Sequence, residues 1–220
     1  MSSHHIVRDD QEPALIIANG AECHPELLGQ LLEWSPWVVV LDSAIERVLQ
    51  YNIKVDVLLG DFDRDFDPSV YLDSQFPLEI VHAPDQNKTD LEKAFDYLIE
   101  KGFPAVNVVW ATGKRADHTM INLTTLATYR DLLKVVIHDD HSKVHLLPRS
   151  FKKWYPAGTK LSLIPLGLAE GITTQNLQYP LNNDSLQLGY RNGNSNAVLQ
   201  DGLVCIEHER GDLLLMECVD

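Results

Sequence analysis

Gly60-Asp61-Phe62-Asp63 sets two carboxylates two residues apart beside a glycine. Hard oxygen donors at that spacing could aim at one magnesium ion, and Gly60 lets the backbone turn sharply or approach a ligand. The same residues also suit a plain turn that merely favours Gly and Asp. Asp65 and Asp67 lengthen the acidic run. Counting from Asp61, however, the sixth residue is Phe66 and the twelfth Leu72, where an EF-hand needs Gly and Glu. That type of calcium loop is excluded, and Asp65 and Asp67 read as solvated.

Two further loops carry polar chemistry. In Pro84-Asp85-Gln86-Asn87-Lys88-Thr89-Asp90, Thr89 and Glu92 form a capping-box pattern, which explains Thr89 as a helix cap. One cap needs one short polar side chain, so Asp85 and Asp90 are left over for a metal or a substrate hydroxyl. The next loop, Ala111 to His118, is basic. A Gly113-bearing strand-to-helix turn with Lys114, Arg115 and free amides at the helix start suits phosphate, with Arg giving bidentate contacts; a helix cap with a surface Arg is the simpler alternative. His118 and Asn122 lie one helical turn apart and can face one cleft. No Gly-x-x-x-x-Gly-Lys-Ser/Thr loop and no Gly-x-Gly-x-x-Gly occurs, which disfavours the ordinary P-loop and dinucleotide-binding readings. Two acidic loops followed by a basic one is the division of labour expected for holding a magnesium polyphosphate. His138-Asp139-Asp140-His141, with His145, reads as structural or solvated, because adjacent residues at a strand end point in different directions.

These loops need strands and helices to present them. Ala14 to Ala18, Val38 to Leu41, Val55 to Leu59, Leu78 to Val81, Val106 to Trp110 and Val135 to Ile137 have the composition of buried strands. Helical spacing runs through Glu26 to Glu33, Ile45 to Tyr51, Leu91 to Glu100 and His118 to Leu133. Such alternation predicts a mostly parallel sheet covered on both faces, with ligands outside the carboxyl ends of its strands. After about Asp140, short segments such as Lys160 to Ile164 and Leu213 to Met216, separated by Gly, Pro and Asn, predict an antiparallel sandwich or barrel. The expected boundary lies near residues 141 to 150.

Composition narrows the function classes. A formal charge of −14 with no compensating basic block disfavours nucleic-acid phosphates and anionic membranes as partners. The longest apolar runs, such as Trp37 to Leu41, are too short to cross a bilayer, and no apolar signal core opens the chain, so a cytoplasmic protein is expected. Three cysteines without Cys-x-x-Cys spacing suggest neither a disulfide framework nor a thiolate zinc site.

In order along the chain, the loops resemble those of thiamine pyrophosphokinases. The matching pieces are Asn19-Gly20, Asp42, Gly60-Asp61-Phe62-Asp63, Asp85-Gln86 with Thr89-Asp90-Leu91-Glu92-Lys93-Ala94, and Gly113-x-Arg115-x-Asp117-His118-x3-Asn122. Gly171-Ile172-Thr173-Thr174, Leu177-x-Tyr179-x-Leu181 and Ser195-Asn196 are similar to that family's thiamine-domain signature. Departures occur at Arg64, where Ser is usual, at Asp42-Ser43-Ala44 in place of Asp-Gly-Gly, at Lys114 and Asn176 in place of Gly, and at Tyr179, often Trp.

The resemblance implies transfer of a pyrophosphoryl group from ATP to the hydroxyethyl oxygen of thiamine, with magnesium as cofactor, by a homodimer. It implies an α/β domain over residues 1–143 for ATP and magnesium and an all-β domain over 144–220 for thiamine and dimerisation. Asp61 and Asp63, with Asp85 and Asp90, would position magnesium, Arg115 would stabilise charge at the β-phosphoryl group, and Asp90 would orient or deprotonate the hydroxyl. Asn19, Asp42, Gln86, Thr89, Gly113, Lys114, Asp117, His118 and Asn122 would line the ATP side, and Thr174, Ser195 and Asn196 the thiamine side. A magnesium phosphohydrolase using Asp61-Phe62-Asp63, or a non-catalytic thiamine or nucleotide sensor of the same fold, are the rival readings. Asp61→Asn should nearly abolish turnover while circular dichroism shows an unchanged fold; wild-type-like activity in that variant would remove the metal assignment.

Overall fold

The computed structural model describes residues 13–62 and 66–219. By its internal contacts the chain forms two compact units. One takes residues up to Asn19 with His24–Asn107, and the other takes Gly20–Cys23 with the chain from Val108 onward.

In the first unit, β1 (Ala14–Ile17), β2 (Trp37–Leu41), β3 (Val57–Gly60) and β4 (Glu79–His82) run parallel in that spatial order. Their sequences explain this. Ala14 to Ile17 and Val57 to Gly60 are buried at every position, as strands covered on both faces must be. β4 has polar Glu79 and His82 at its ends and lies at the sheet edge, where polar residues discourage further pairing. Helix α1 (Pro25–Leu32) starts on Pro25, with His24 Nδ1 accepting from the Glu26 amide at 3.3 Å. Helix α2 (Ile45–Val48) is a short turn flanked by 3-10 segments. Helix α3 (Asp90–Glu100) opens on the predicted capping box, with the Thr89 amide donating to Glu92 Oε2 at 2.9 Å and the Glu92 amide to Thr89 Oγ1 at 3.3 Å. The unit ends within β5 (Ala105–Val109).

The second unit holds helix α4 (Ala116–Thr125) and nine further strands: β6 (Lys134–His138), β7 (Ser142–Leu146), β8 (Ser150–Tyr155), β9 (Lys160–Pro165), β10 (Leu168–Gln175), β11 (Asp184–Gln187), β12 (Gly193–Ala197), β13 (Gly202–Glu207) and β14 (Leu213–Cys218). Antiparallel pairing gives the order β12-β9-β14-β7-β6 and a second sheet β11-β10-β13-β8. Leu161 and Leu163 of β9, Leu213 and Leu215 of β14, Ala169 and Ile172 of β10 and Val204 and Ile206 of β13 interleave as one core. The α/β half and the β sandwich expected from the change in periodicity are both present.

One helix is shorter than its spacing suggests. α4 stops at Thr125 although apolar spacing continues to Leu133. The Thr124 hydroxyl bonds back to the Met120 and Ile121 carbonyls, 3.1 Å each, and the Ala127 and Thr128 amides reach only three residues back. Threonines restricted at χ1 weaken the helix here, and the chain tightens into turns.

The two sheets of the sandwich share a polar link. Lys153 Nζ of β8 donates to both carboxylate oxygens of Glu217 on β14, 2.8 Å each, and lies over the Tyr155 ring at 4.8 Å. Burial would raise the Glu217 pKa, but hydrogen bonding and charge from Lys153 bring it below the ordinary carboxylate value. Burial pushes His145 of β7 down to about 4, with Lys143, Lys153 and Lys134 adding to the effect and Glu217 opposing it. Both shifts act in one direction. An unfolded histidine takes its proton near 6.5 while folded His145 resists until about 4, so stability present above 6.5 is lost as pH falls across that window. Glu217 adds a loss as pH falls from its unfolded value through its lowered folded one. Urea midpoints measured across this range should therefore fall with pH, and His145→Leu should flatten the slope; an unchanged slope would show that another group sets it.

Candidate active site

In the first unit the polar residues singled out in the sequence gather at the carboxyl ends of the parallel strands. Asn19 follows β1, Asp42 follows β2, Asp61 follows β3, and the Asp85 to Asp90 loop follows β4. Asn19 Nδ2 donates to Ser43 Oγ at 3.0 Å, while its Oδ1 accepts from Arg47 at 2.7 Å. Gly60 allows Asp42 to come close, since a Cβ added there would lie 3.2 Å from the Asp42 Cα and Cβ. Asp42 itself adopts φ of 45°, which swings the chain out of β2.

Asp61 is held by the neighbouring loop. Gln86 Nε2 donates to Asp61 Oδ2 at 2.9 Å, and His82 Nε2 meets the Asp61 carbonyl at 3.0 Å. Phe62 takes φ of 48°, unusual for a bulky side chain, with its ring stacked near His82 at 6.1 Å between centroids. Asp63, with Arg64 and Asp65, lies outside the described residues. Asp85 bends its own loop: Oδ1 accepts from the Asn87 amide at 2.9 Å and from Asn87 Nδ2 at 3.1 Å. Those bonds, the backbone one first, hold its pKa below the usual carboxylate value. Thr89 is a helix cap, and Asp90 accepts from Lys93 Nζ at 3.0 Å. Asp67 serves structure, accepting from the Ser69 amide at 2.9 Å to start a 3-10 turn.

Among the described residues no three His, Cys, Asp or Glu side chains form a ready metal cage. The donor set nevertheless suits magnesium, which keeps several waters and needs only one or two carboxylates alongside substrate phosphates. Asp61 presents one carboxylate at this edge, its Oδ2 held by Gln86.

In the second unit the basic loop is built on a close backbone approach. The Gly20 amide donates to the Trp110 carbonyl at 2.5 Å and the Ala21 amide to the Thr112 carbonyl at 2.8 Å. Gly113 takes φ of 72°, and a Cβ there would sit 2.5 Å from Ala21 Cβ. Lys114 also has positive φ, 49°, at the position where the resemblance expects glycine. Asn122 Nδ2 donates to the Ala111 carbonyl at 2.8 Å and Thr112 Oγ1 to Asp139 Oδ2 at 3.0 Å, tying the loop to α4 and to the end of β6. Arg115 is exposed and already forked onto Asp117, with Nε to Oδ1 at 3.1 Å and NH2 to Oδ2 at 2.6 Å. That hydrogen bonding is the main reason Asp117 falls to about 2. His118 is exposed on the first turn of α4.

Residues read as the thiamine side do structural work as well. Thr174 is buried and pairs with Leu181, its amide donating to the Leu181 carbonyl at 3.0 Å and its Oγ1 accepting from the Leu181 amide at 2.9 Å. Asn196 Nδ2 donates to the Tyr179 carbonyl at 2.8 Å, and its Oδ1 accepts from the Tyr179 and Ala197 amides at 3.0 and 2.9 Å. This clamp presents an exposed Tyr179 ring. Ser195 has φ of 57°, with its amide donating to Ser162 Oγ at 3.0 Å. Asn176 has φ of 63°, which explains why it can stand for glycine: both tolerate the left-handed region. Arg47, His82 and Lys93 join these sites although none was picked out from the sequence as a site residue. Only Lys93 carried a signal, three residues after Asp90.

An open parallel sheet with polar residues gathered at its carboxyl edge is the architecture of an α/β protein that binds ligands there. Comparison with known proteins narrows that class. A family model described as thiamin pyrophosphokinase, catalytic domain, matches residues 28–137, and one described as thiamin pyrophosphokinase, vitamin B1 binding domain, matches residues 145–213. The chain belongs to the thiamin pyrophosphokinase family. Thiamine pyrophosphokinase of Bacillus subtilis is 27% identical over 187 residues, covering 79% of this chain and 84% of that protein. Thiamine pyrophosphokinase 1 of Oryza sativa subsp. japonica is 30% identical over 166 residues, 70% of this chain and 62% of its own length. The crystal structure of thiamin pyrophosphokinase from Geobacillus thermodenitrificans has a TM-score of 0.79 at 25% identity, covering 94% of this chain and 97% of its own. The yeast thiamin pyrophosphokinase structure has the same fold at 17% identity, with a TM-score of 0.79 over 97% of this chain and 88% of its own.

The basic loop yields a stability prediction. Gly102 and Gly113 both have positive φ, yet only at Gly113 does an added Cβ meet a neighbour. Gly102→Ala should cost about 1 kcal/mol from backbone strain alone, and Gly113→Ala about 2 kcal/mol or more through the added clash with Ala21. Urea unfolding of the two variants measures the difference, and equal losses would show that the loop shifts freely.

Proposed function

We propose that this protein is a thiamine pyrophosphokinase, transferring the pyrophosphoryl group of ATP to the hydroxyethyl oxygen of thiamine to give thiamine diphosphate and AMP. The observation that carries the reading is the match of both family models, catalytic and vitamin B1-binding, in order along one chain. The acidic edge at Asp61 is its chemical counterpart.

In this reading Asn19, Asp42 and Gln86 border the nucleotide, and Gln86 also fixes the Asp61 carboxylate. Asp61 and Asp63, with Asp85 and Asp90, would hold magnesium, which when bound neutralises charge on the triphosphate oxygens. Arg115 exchanges part of its fork on Asp117 for the β-phosphoryl oxygens, a role supported by its exposure and bidentate geometry. Gly113, Lys114, His118 and Asn122 build the surface around it. The thiamine hydroxyl oxygen attacks the β-phosphorus as the bond to the oxygen bridging the α-phosphorus breaks, and AMP leaves with that oxygen. Asp90 takes the hydroxyl proton. Residues 144–220 supply the thiamine surface, where Asn196 and Thr174 shape the backbone around Tyr179 and Ser195.

We also read the protein as a cytoplasmic homodimer. The dimer reading is supported by the exposed cross-strand pair Trp154 and Leu203 on the four-stranded sheet. Among the described residues no helix is long and apolar enough to cross a membrane.

Incubation with ATP, magnesium and thiamine tests the reaction. AMP and thiamine diphosphate should appear together and only when thiamine is present. Thiamine-independent phosphate release would mark a hydrolase instead, and binding without turnover a sensor.

A further inference from the structure

Lys93 is buried where burial of a cation is hard to justify by stability. It occupies the first turn of α3, where the helix dipole disfavours positive charge, and its side chain is 6% exposed. Lys93 is buried on a helix that also buries Leu91, Ala94, Phe95, Tyr97 and Leu98, and exchanging a buried ion pair for an apolar side chain of similar volume is often neutral or stabilising. Its Nζ lies 3.0 Å from Asp90 Oδ1, and the Asp90 side chain is 37% exposed. The pair is thus one-sided, a buried cation under a carboxylate open to solvent. The neighbouring Lys88–Asp96 pair, exposed at both ends at 44% and 42%, lacks that asymmetry. The charge on Lys93 also reaches Asp85 on the preceding loop.

We propose that Lys93 is a positioning residue for pyrophosphoryl transfer, its buried ammonium pinning Asp90 Oδ1 so that Asp90 Oδ2 meets the substrate hydroxyl in one fixed orientation. An exposed aspartate free to rotate would spend much of its time in unproductive rotamers. A partner anchored inside the fold removes that freedom while leaving the second oxygen outward. The ion pair spans one helical turn and needs no other element.

The inference rests on the reading that Asp90 serves the reaction, and a double-mutant cycle separates the two. Lys93→Met should lower kcat by about 10- to 100-fold while KM for ATP and for thiamine changes less than about threefold, and its thermal midpoint should equal or exceed that of the parent. In an Asp90→Asn background the same substitution should change the residual kcat by less than about twofold, because residues acting as a unit are not additive. Lys93→Gln, which keeps a hydrogen-bond donor for Asp90, should fall between parent and Lys93→Met and replaces it in the cycle if the latter does not fold. Equal losses in both backgrounds, or a loss of kcat that merely tracks a lowered thermal midpoint, overturn the positioning role and leave Asp90 in place. Wild-type turnover in Asp90→Asn overturns the reading of Asp90 and the positioning role with it.

Discussion

Parallel strands buried on both faces impose the constraint on which the acidic site depends. Because β1 to β4 pair in the same direction, the four chain segments leaving them emerge on one edge of the sheet. Asn19, Asp42, Asp61 and the loop containing Asp85 and Gln86 are therefore brought to one edge by the backbone pairing itself. Local contacts then refine the cluster. Gly60 lets the Asp42 backbone press close, and Gln86 reaches across from the next loop to Asp61.

A chain carrying a formal charge of −14 has to manage its carboxylates, and much of that is done locally. Asp85 accepts from the residue two ahead, Asp117 is forked by Arg115, and Asp184 pairs with Arg191 at 2.8 Å. These exposed arrangements contribute little to stability, but they set which oxygen atoms remain open and where they point. The link between the sheets of the sandwich is different in kind. Lys153 and Glu217 satisfy each other at a partly buried position, so losing either would leave a charge without its partner.

Most of the architecture was legible because its signals are periodic. Apolar runs of strand length alternated with helical spacing up to β6, and the later Gly, Pro and Asn punctuation marked hairpins. α4 was overestimated because apolar spacing records which face is buried, whereas Thr124 and its neighbours decide how far the helix extends. At the carboxyl edge, residue type and order singled out Asp61 and Asp90 as candidates and the resemblance added Gln86, but nothing pointed to Arg47, whose bond to Asn19 joins positions far apart in the chain. Nor could composition show that Asn196 and Thr174 spend their hydrogen bonds on backbone. Lys114 and Asn176 are instructive in another way. Both stand where the resemblance expects a glycine, and both lie at positive φ, a backbone shape that glycine adopts freely.

The short segment Gly20–Cys23 belongs with the second unit although the chain on either side belongs with the first. Its amides at Gly20 and Ala21 are satisfied by carbonyls of Trp110 and Thr112. The polypeptide therefore passes between the units three times, and no single cleavage yields two fragments that each retain all their own pieces. Splitting the gene at the end of the first unit would strand this four-residue patch on the wrong half. Any division of the chain into its two units therefore has to reckon with this patch as well as with the break after Asn107.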